Sequence, residues 1–553
     1  MLIETQEAVE QLIHSLNSSR RRIIVDTETN YTDRYHERYC MGISIECNGE
    51  LFYLPVRHSS WMTPNAPNVE VPSYLLSGVQ AELVFHNAKF DLHVLRKLGV
   101  IIRPDTRVYD TMLMAHLLNE NLDAKKGGYS LENLSRKLLP GGKEIELKDI
   151  WKGTWEEMPS FAMAKYAETD VLRTGQLYDL LKPAFADFEK VWEVDEKFMY
   201  LLQKMEEKGL ILDKVEAREL QVMCEDRIEA IKKELGFDPS KPSQLHKRLF
   251  AEPPVGLGLP ITQETPTGKP QVNIKYLESL QHPIAGLLLE HSELKKQLTS
   301  YYRPYLDFTE GHDRIHASFK QHGTVTGRLS CADPNMHQIP RESPIKKLFL
   351  PERGKQLWEL DFSALEPRLA AVYSQEPVLL ELFATGGDYH QLTASSLKIP
   401  RQDGKGVNLT MLYGGGAPSL MKKLKCDQKT AYKHVNGFWN TYRAMDDFKN
   451  RVNEAAEADG EIKLWSGRKR RFPYKSEARK AFNSLIQGGG FEIVKRATMY
   501  LDDAGYDIRN QVHDSVWLML DSEKDVPEAE HIMSDWTKKA FGLHFAVESK
   551  RLS

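Results

Sequence analysis

Asp26 and Glu28 stand two residues apart at the end of the apolar run in RRIIVDTETN, so on a strand their carboxylates leave the same face and can share a cation. Further along, HNAKFDLHVL supplies Asn87 and Asp91, and KYAETDVLRT places Tyr166 and Asp170 four apart, on one face of a helix. Hydrolysis of a phosphodiester needs a nucleophilic hydroxide and stabilisation of the leaving 3′ oxygen. Two hard cations ~3.5–4 Å apart do both, and hard cations prefer oxygen ligands. Taken singly, each residue has a plainer reading: Asp26 as a strand cap, Asp91 as a helix N-cap, Tyr166 with Asp170 as a surface pair.

A second constellation begins at TGRLSCADPNMHQIP, continues through LWELDFSALEPRLAAVYS and GDYHQLTA, and ends in QVHDSVWLML. Asp361 closes an apolar strand, and Asp514, read as part of an alternating strand, is suited to stand beside it. Between them, Arg401, Lys405, Leu409 and Tyr413 recur every four residues, a spacing that drifts only about 40° per step around a helix. Such a face suits a nucleoside triphosphate, with two cations for the phosphates, an apolar side chain beside the sugar and an aromatic against a base. A solvated basic stripe has the same pattern.

In order, DTE, NxxFD and YxxxD within one α/β segment resemble the DnaQ-like (DEDDy) 3′→5′ exonucleases. The resemblance implies that Asp26, Glu28, Asp91 and Asp170 bind two divalent ions while Tyr166 orients the attacking water. TGRLS, DFSALEPR, RxxxKxxxxxxxYG, RKAFNSLIQG and VHD, again in order from about Val194 to the end, resemble the family A polymerases typified by bacterial DNA polymerase I. That resemblance implies two Mg²⁺ ions on Asp361 and Asp514, with Mn²⁺ as a substitute. It implies triphosphate binding by Arg401 and Lys405, with Lys405 also a candidate proton donor to the leaving group. Glu366 becomes the steric gate against a ribose 2′-OH, Tyr413 the residue at the templating position, and His390 a further dNTP-site position. Arg328, Asn483 and Gln487 are expected in the DNA minor groove, whose degenerate acceptors allow a check of pair shape without reading sequence. Arg479 is expected on the template strand, His513 near the primer terminus, and Arg368 at a further DNA-contact position.

These groups require elements to hold them. Ile23 to Val25, Cys40 to Ile45 and Leu51 to Leu54 read as strands, with helical patterns from about Asp91, giving an α/β domain to about Pro183. MEEKGLILD reads as a helix ending at Gly209 before a short strand, residues 236–274 as loops and short helices, and 357–363 and 506–520 as strands. The expected fold class is multidomain α/β and α+β: an RNase H-like exonuclease domain (1–189), then a polymerase hand (190–553). The hand divides into thumb 190–315, palm 316–384 and 497–553, and fingers 385–496.

At 553 residues, with 41% hydrophobic and 27% charged residues, the chain fits a multidomain globular enzyme. No stretch is long enough to span a bilayer, no leader precedes the first strand, and five scattered cysteines form no CxxC pair, all of which point to a reducing cytoplasm, that of a bacterial host for a phage-encoded enzyme. The formal charge of −4 does not itself attract nucleic acid, so local clusters must. Lys422, Lys423, Lys425 and Lys429, or Arg468, Lys469, Arg470 and Arg471, are the candidates for phosphate contacts. The expected partners are primer-template DNA and dNTPs. Helicase or primase, single-strand-binding protein and a processivity factor are the classes of replication partner such an enzyme takes, and no residue specifies one. With no 5′-nuclease segment ahead of the exonuclease, the expected enzyme is a phage-type replicase.

Three departures from the family pattern stand out. Leu409 replaces an aromatic beside the incoming sugar, Ser515 replaces the acid after His-Asp, and Gly488-Gly489-Gly490-Phe491-Glu492 replaces an alanine-containing run. The glycine triplets at 414–416 and 488–490 do not lead into GK[ST], which excludes a Walker phosphate loop. Two rival readings are a single-subunit RNA polymerase, separated by rNTP-versus-dNTP incorporation, and an accessory DNA-binding protein with a decayed polymerase site, separated by primer extension.

Overall fold

The computed structural model describes residues 1–30, 35–58, 67–141, 151–265, 267–340 and 343–553. In the first segment, strands β1 (Ile23–Thr29), β2 (Cys40–Cys47), β3 (Glu50–Pro55), β4 (Leu83–Phe85) and β5 (Val108–Asp110) form one sheet of order β3-β2-β1-β4-β5. β2 pairs antiparallel with β1 and β3, while β1, β4 and β5 run parallel. This is the RNase H-like arrangement expected from the sequence. β1 is central because Ile23, Ile24 and Val25 are apolar on both faces and fully buried. Helix α1 (Gln6–Ser18) is capped by Thr5. Helices α2 (Ala88–Lys97) and α3 (Thr111–Leu118) follow β4 and β5, and α4 (Ser160–Phe185) packs across β1, β2 and β3. The buried Asp110 carboxylate starts two helices at once, accepting from Asn87 N and Ala88 N ahead of α2 and from Met112 N and Leu113 N in α3.

The chain forms two compact units. Met1–Lys208, Ala317–His337 and Gly354–Arg551 make the larger one, which includes helix α5 (Glu189–Lys208). The smaller takes Gly209–His316, Gln338–Arg353 and Leu552–Ser553. It contains an antiparallel sheet in which β6 (Leu210–Leu212) lies between β7 (Arg314–Ile315) and β8 (Phe349–Leu350). Helix α6 (Lys214–Leu235) begins at the Asp213 cap, ends at Gly236 in the left-handed region, and is tied to α7 (Ile284–Gln297) by a two-pronged Arg227–Glu290 pair. The stretch 236–274 holds the helix Pro242–Phe250.

The larger unit's second sheet has β9 (Gln356–Phe362) at its heart. Helices α8 (Leu365–Ser374), α9 (Tyr389–Leu397) and α10 (Arg401–Leu412) follow, then the hairpin β10 (Glu461–Lys463)–β11 (Lys469–Arg471) and the long helix α11 (Ala481–Asp503). β12 (Asp507–Val512), β13 (Ser515–Leu520) and β14 (Val547–Arg551) complete the order β12-β13-β9-β14, all antiparallel. One expectation is corrected here. Residues 506–520 are not a single strand but a hairpin, and Asp514 lies in its two-residue turn. His513 makes the reversal by adopting φ 55°, a left-handed conformation open to His though favoured by Gly and Asn.

Candidate active sites

Asp26 and Glu28 project from β1, Asp91 from the first turn of α2, and Tyr166 and Asp170 from α4. The structure brings all five together. Burial, followed by the charges of Asp91, Glu28 and Asp170, pushes the Asp26 carboxyl well above the usual carboxylate range. Burial likewise raises Asp91 to about 8, although Thr27 donates to its Oδ1 from both backbone N (3.0 Å) and Oγ1 (2.7 Å). Tyr166 bonds Asp170, feels Glu28 and Asp26, and meets the Trp155 ring edge-on at 5.7 Å. A site that crowds four carboxylates against one another fits hard divalent cations. The positive charge relieves the repulsion that otherwise forces protons onto the cluster.

In the second site, β9 carries Asp361 to the sheet end, opposite Ser515. Phe362 N donates to Asp514 O at 3.2 Å, which fixes the turn bearing Asp514 beside Asp361. Glu366, in the first turn of α8, is 6% exposed. Burial raises its carboxyl, while an ion pair with Arg328 and a bond from Tyr413 draw it down, and Asp514 adds repulsion. Glu366 thus links Arg328, Tyr413 and the Asp514 turn. Asp361 and Asp514 are again hard oxygen donors suited to the same kind of cation.

Helix α10 turns Gly404, Val407, Asn408, Met411 and Leu412 inward, leaving Arg401, Lys405 and Leu409, with Tyr413 just past its end, on the open side. α9 packs closely enough that a Cβ on Gly404 would lie 2.7 Å from His390 O, a contact only glycine permits. His390 stands within the field of Lys405 and Arg401 and meets Asn408 Nδ2 at 2.9 Å. Arg401 Nε donates to Asp388 Oδ2 at 2.7 Å, and Asp388 also caps α9.

Asn483 Nδ2 donates to Tyr413 O at 3.3 Å, and Gln487 lies one turn further along α11, half-buried. The glycine triplet whose purpose the sequence left open is a packing device at its first two positions. It lies inside α11, where a Cβ on Gly488 would sit 2.8 Å from Thr326 O and one on Gly489 2.9 Å from Leu369 Cδ2. The loop bearing Arg328 can therefore lie directly on the helix bearing Gln487. Arg479 and His513 are exposed. Arg368 is 6% exposed, its guanidinium donating to Ser363 O and His544 O and lying 4.5 Å from the Phe383 ring centroid, a role inside the protein.

The basic run 468–471 is a second correction. It was a candidate for phosphate contacts, but Arg468 bonds Asp195 (2.5 Å) and Glu492 (3.0 Å), Arg470 and Arg471 bond Glu120, and Lys469 bonds Glu461. Lys422, Lys423, Lys425 and Lys429 are exposed. One residue of this region that the sequence reading passed over is Glu359, two before Asp361 on the same strand face, in bonding range of Ser515 and Trp517. Its position two residues from Asp361, a candidate metal ligand, was the available signal.

DNA polymerase family A matches residues 212–550, and a 3′-5′ exonuclease domain matches residues 1–185. The chain belongs to DNA polymerase family A. It is a family A DNA polymerase with a 3′-5′ exonuclease domain, and such domains generally use divalent metal ions. It is 26% identical to the DNA polymerase of Mycobacterium phage L5, over 96% of this chain and 92% of that one. It is 27% identical to DNA polymerase I of Borreliella burgdorferi, over 99% of this chain and 63% of that one. With DNA polymerase I of Treponema pallidum it shares 29% identity over 76% of this chain and 45% of that one. The chain thus spans nearly the whole phage polymerase but only about half to two thirds of these bacterial relatives. In fold it resembles the POL domain of Pol1 from M. smegmatis, a complex with DNA primer-template and dNTP, with a TM-score of 0.79 at 23% identity, covering 100% of this chain and 98% of that one. Among the described residues no helix is long and apolar enough to cross a membrane.

Proposed function

We propose that the protein extends a DNA primer 3′-OH with dNTPs on a template and removes mispaired 3′ ends at a separate site, as a phage-type replicative enzyme working in the host cytoplasm. The observation that carries this reading is the convergence, by fold, of Asp361, the Asp514 turn and Glu366 with Tyr413 at the end of the cationic face of α10. In this reading the thumb is 190–315, the palm 316–384 with 497–553, and the fingers 385–496.

Asp361 and Asp514 hold two Mg²⁺ ions, and Asp26, Glu28, Asp91 and Asp170 two divalent ions, with Mn²⁺ as a substitute. Bound cations supply activation of the attacking oxygen and neutralisation of leaving-group charge. The chain's own residues do the rest. Arg401 and Lys405 grip the triphosphate, and Lys405 passes a proton to the departing pyrophosphate. His390 supports that grip from α9. Glu366 closes the space that a ribose 2′-OH needs, and Leu409 packs on the sugar. Tyr413 lies at the templating position. Arg328, Asn483 and Gln487 touch the minor groove, Arg479 the template strand and His513 the primer end. In the exonuclease site Tyr166 orients the attacking water.

Primer extension and single-strand degradation by the parent, Asp26→Ala and Asp361→Ala test the assignment. Asp26→Ala is expected to lose degradation by at least ~10²-fold and keep extension, and Asp361→Ala the reverse. Loss of both activities in either variant, or of neither, refutes it.

A further inference from the structure

Ser515 stands where the family pattern has an acid, but its side chain engages one. Ser515 Oγ lies 3.1 Å from Glu359 Oε1 and 2.9 Å from Val512 O, and Trp517 Nε1 donates to the same Glu359 oxygen at 3.3 Å. In the β9–β13 pairing, Glu359 faces Trp517 and Asp361 faces Ser515. Cross-strand partners share a face, as do residues two apart along a strand, so Glu359, Asp361, Ser515 and Trp517 all project from one side of the sheet. Trp517 Nε1, together with the Ser515 hydroxyl, whose one proton is shared between Glu359 and Val512 O, holds the Glu359 carboxylate in place, about 6.6 Å along the strand from Asp361 at the Cα atoms.

We infer that Glu359 supplies, from the adjacent strand, the acidic charge that Ser515 lacks, and acts as a positioning residue for the cations on Asp361 and Asp514. This inference rests on the polymerase-site reading above. A serine after His-Asp cannot carry charge, but it can orient a carboxylate that does. The exchange moves the acid across one strand pair while keeping it on the sheet face from which Asp361 projects. Fixed carboxylates near a metal site raise affinity without direct ligation, and loss of such an outer partner typically costs ~10–100-fold in metal affinity.

The test is Mn²⁺ titration followed by electron paramagnetic resonance, in the full chain carrying Asp26→Ala and Asp170→Ala so that exonuclease binding is removed. Glu359→Gln keeps the shape and both incoming donors, and is expected to weaken Mn²⁺ binding by ~10-fold. Adding Ser515→Glu to Glu359→Gln returns the charge from the other strand and is expected to restore affinity to near the parent's. The Mg²⁺ concentration giving half-maximal primer extension should move in step. Parent-like Mn²⁺ affinity in Glu359→Gln, or a double variant as weak as the single one, overturns the inference. Asp361→Ala in the same background separates the two levels. If it too binds Mn²⁺ like the parent, the site reading fails and the inference with it. If it is defective while Glu359→Gln is not, the inference alone fails.

Discussion

Leu409 holds the third position on the open side of α10, half-buried between Lys405 and Tyr413. In the proposed dNTP site an aliphatic side chain there would pack on the sugar through dispersion but offer no ring face and no hydroxyl. Discrimination against a sugar lacking its 3′-OH therefore depends on contacts that Leu409 does not make. Leu409→Tyr is expected to change the ratio of ddNTP to dNTP incorporation by ~10-fold or more, the equivalent of about 1.4 kcal/mol of differential transition-state binding. Competitive incorporation on a single-site template measures it, and an unchanged ratio rules out a selectivity role for this position. Residue types and local spacing were enough to single out Leu409, Arg401, Lys405, Asp361 and Asp514 as candidates. Their signals are short-range: a four-residue repeat on a helix, and an acid at a strand end.

At the scale of elements the sequence was legible where periodicity spoke and silent where partners lay far away. β1, β2 and β3 follow from their apolar runs. The 513–514 turn did not, because His513 takes its left-handed conformation without the glycine or asparagine that usually announces one. The charges of Arg468, Arg470 and Arg471 were visible, but not their neutralisation, since Asp195 and Glu120 are 273 and about 350 residues away in the chain. The glycines of α11 were visible without their purpose, which depends on the Thr326 carbonyl. That purpose makes a testable claim. Alanine at position 488 gains about 1 kcal/mol of helix propensity but must displace Thr326 O, and overpacking of this kind costs ~1–3 kcal/mol. Gly488→Ala is therefore expected to lower melting temperature by a few degrees at most. Because the displaced loop carries Arg328, primer extension should fall more than single-strand degradation. Equal loss of both activities would show that the close approach matters only for folding.

Over the whole molecule, the exonuclease segment and the polymerase segment share buried polar contacts within the larger unit. Glu120 receives Arg470 and Arg471, and His116 Nε2 meets Thr324 O at 3.0 Å, while Arg468 bridges Asp195 and Glu492 within the polymerase segment. Burial holds His116 neutral, its pKa lowered to about 3 with Arg468 adding repulsion, and nearby His86 and His322 are lowered to about 4. In the unfolded chain each takes up a proton near pH 6.5, so between that pH and their folded values the unfolded state binds more protons. Their contribution to stability is therefore full above about pH 6.5 and is lost as the pH falls toward 4. The raised carboxyls Asp91 and Asp110 act in the opposite direction, which makes the difference between parent and variant the informative quantity. His116→Gln retains a donor for Thr324 O without a titrating ring. Going from pH 7 to pH 5 in saturating Mg²⁺, the parent is expected to lose ~2 kcal/mol more stability than this variant, as the linkage relation gives for one histidine excluded from protonation. Urea denaturation at the two pH values measures it. Parallel losses would mean that His116 is protonated in the fold, and that the seam between the two segments does not depend on a neutral ring.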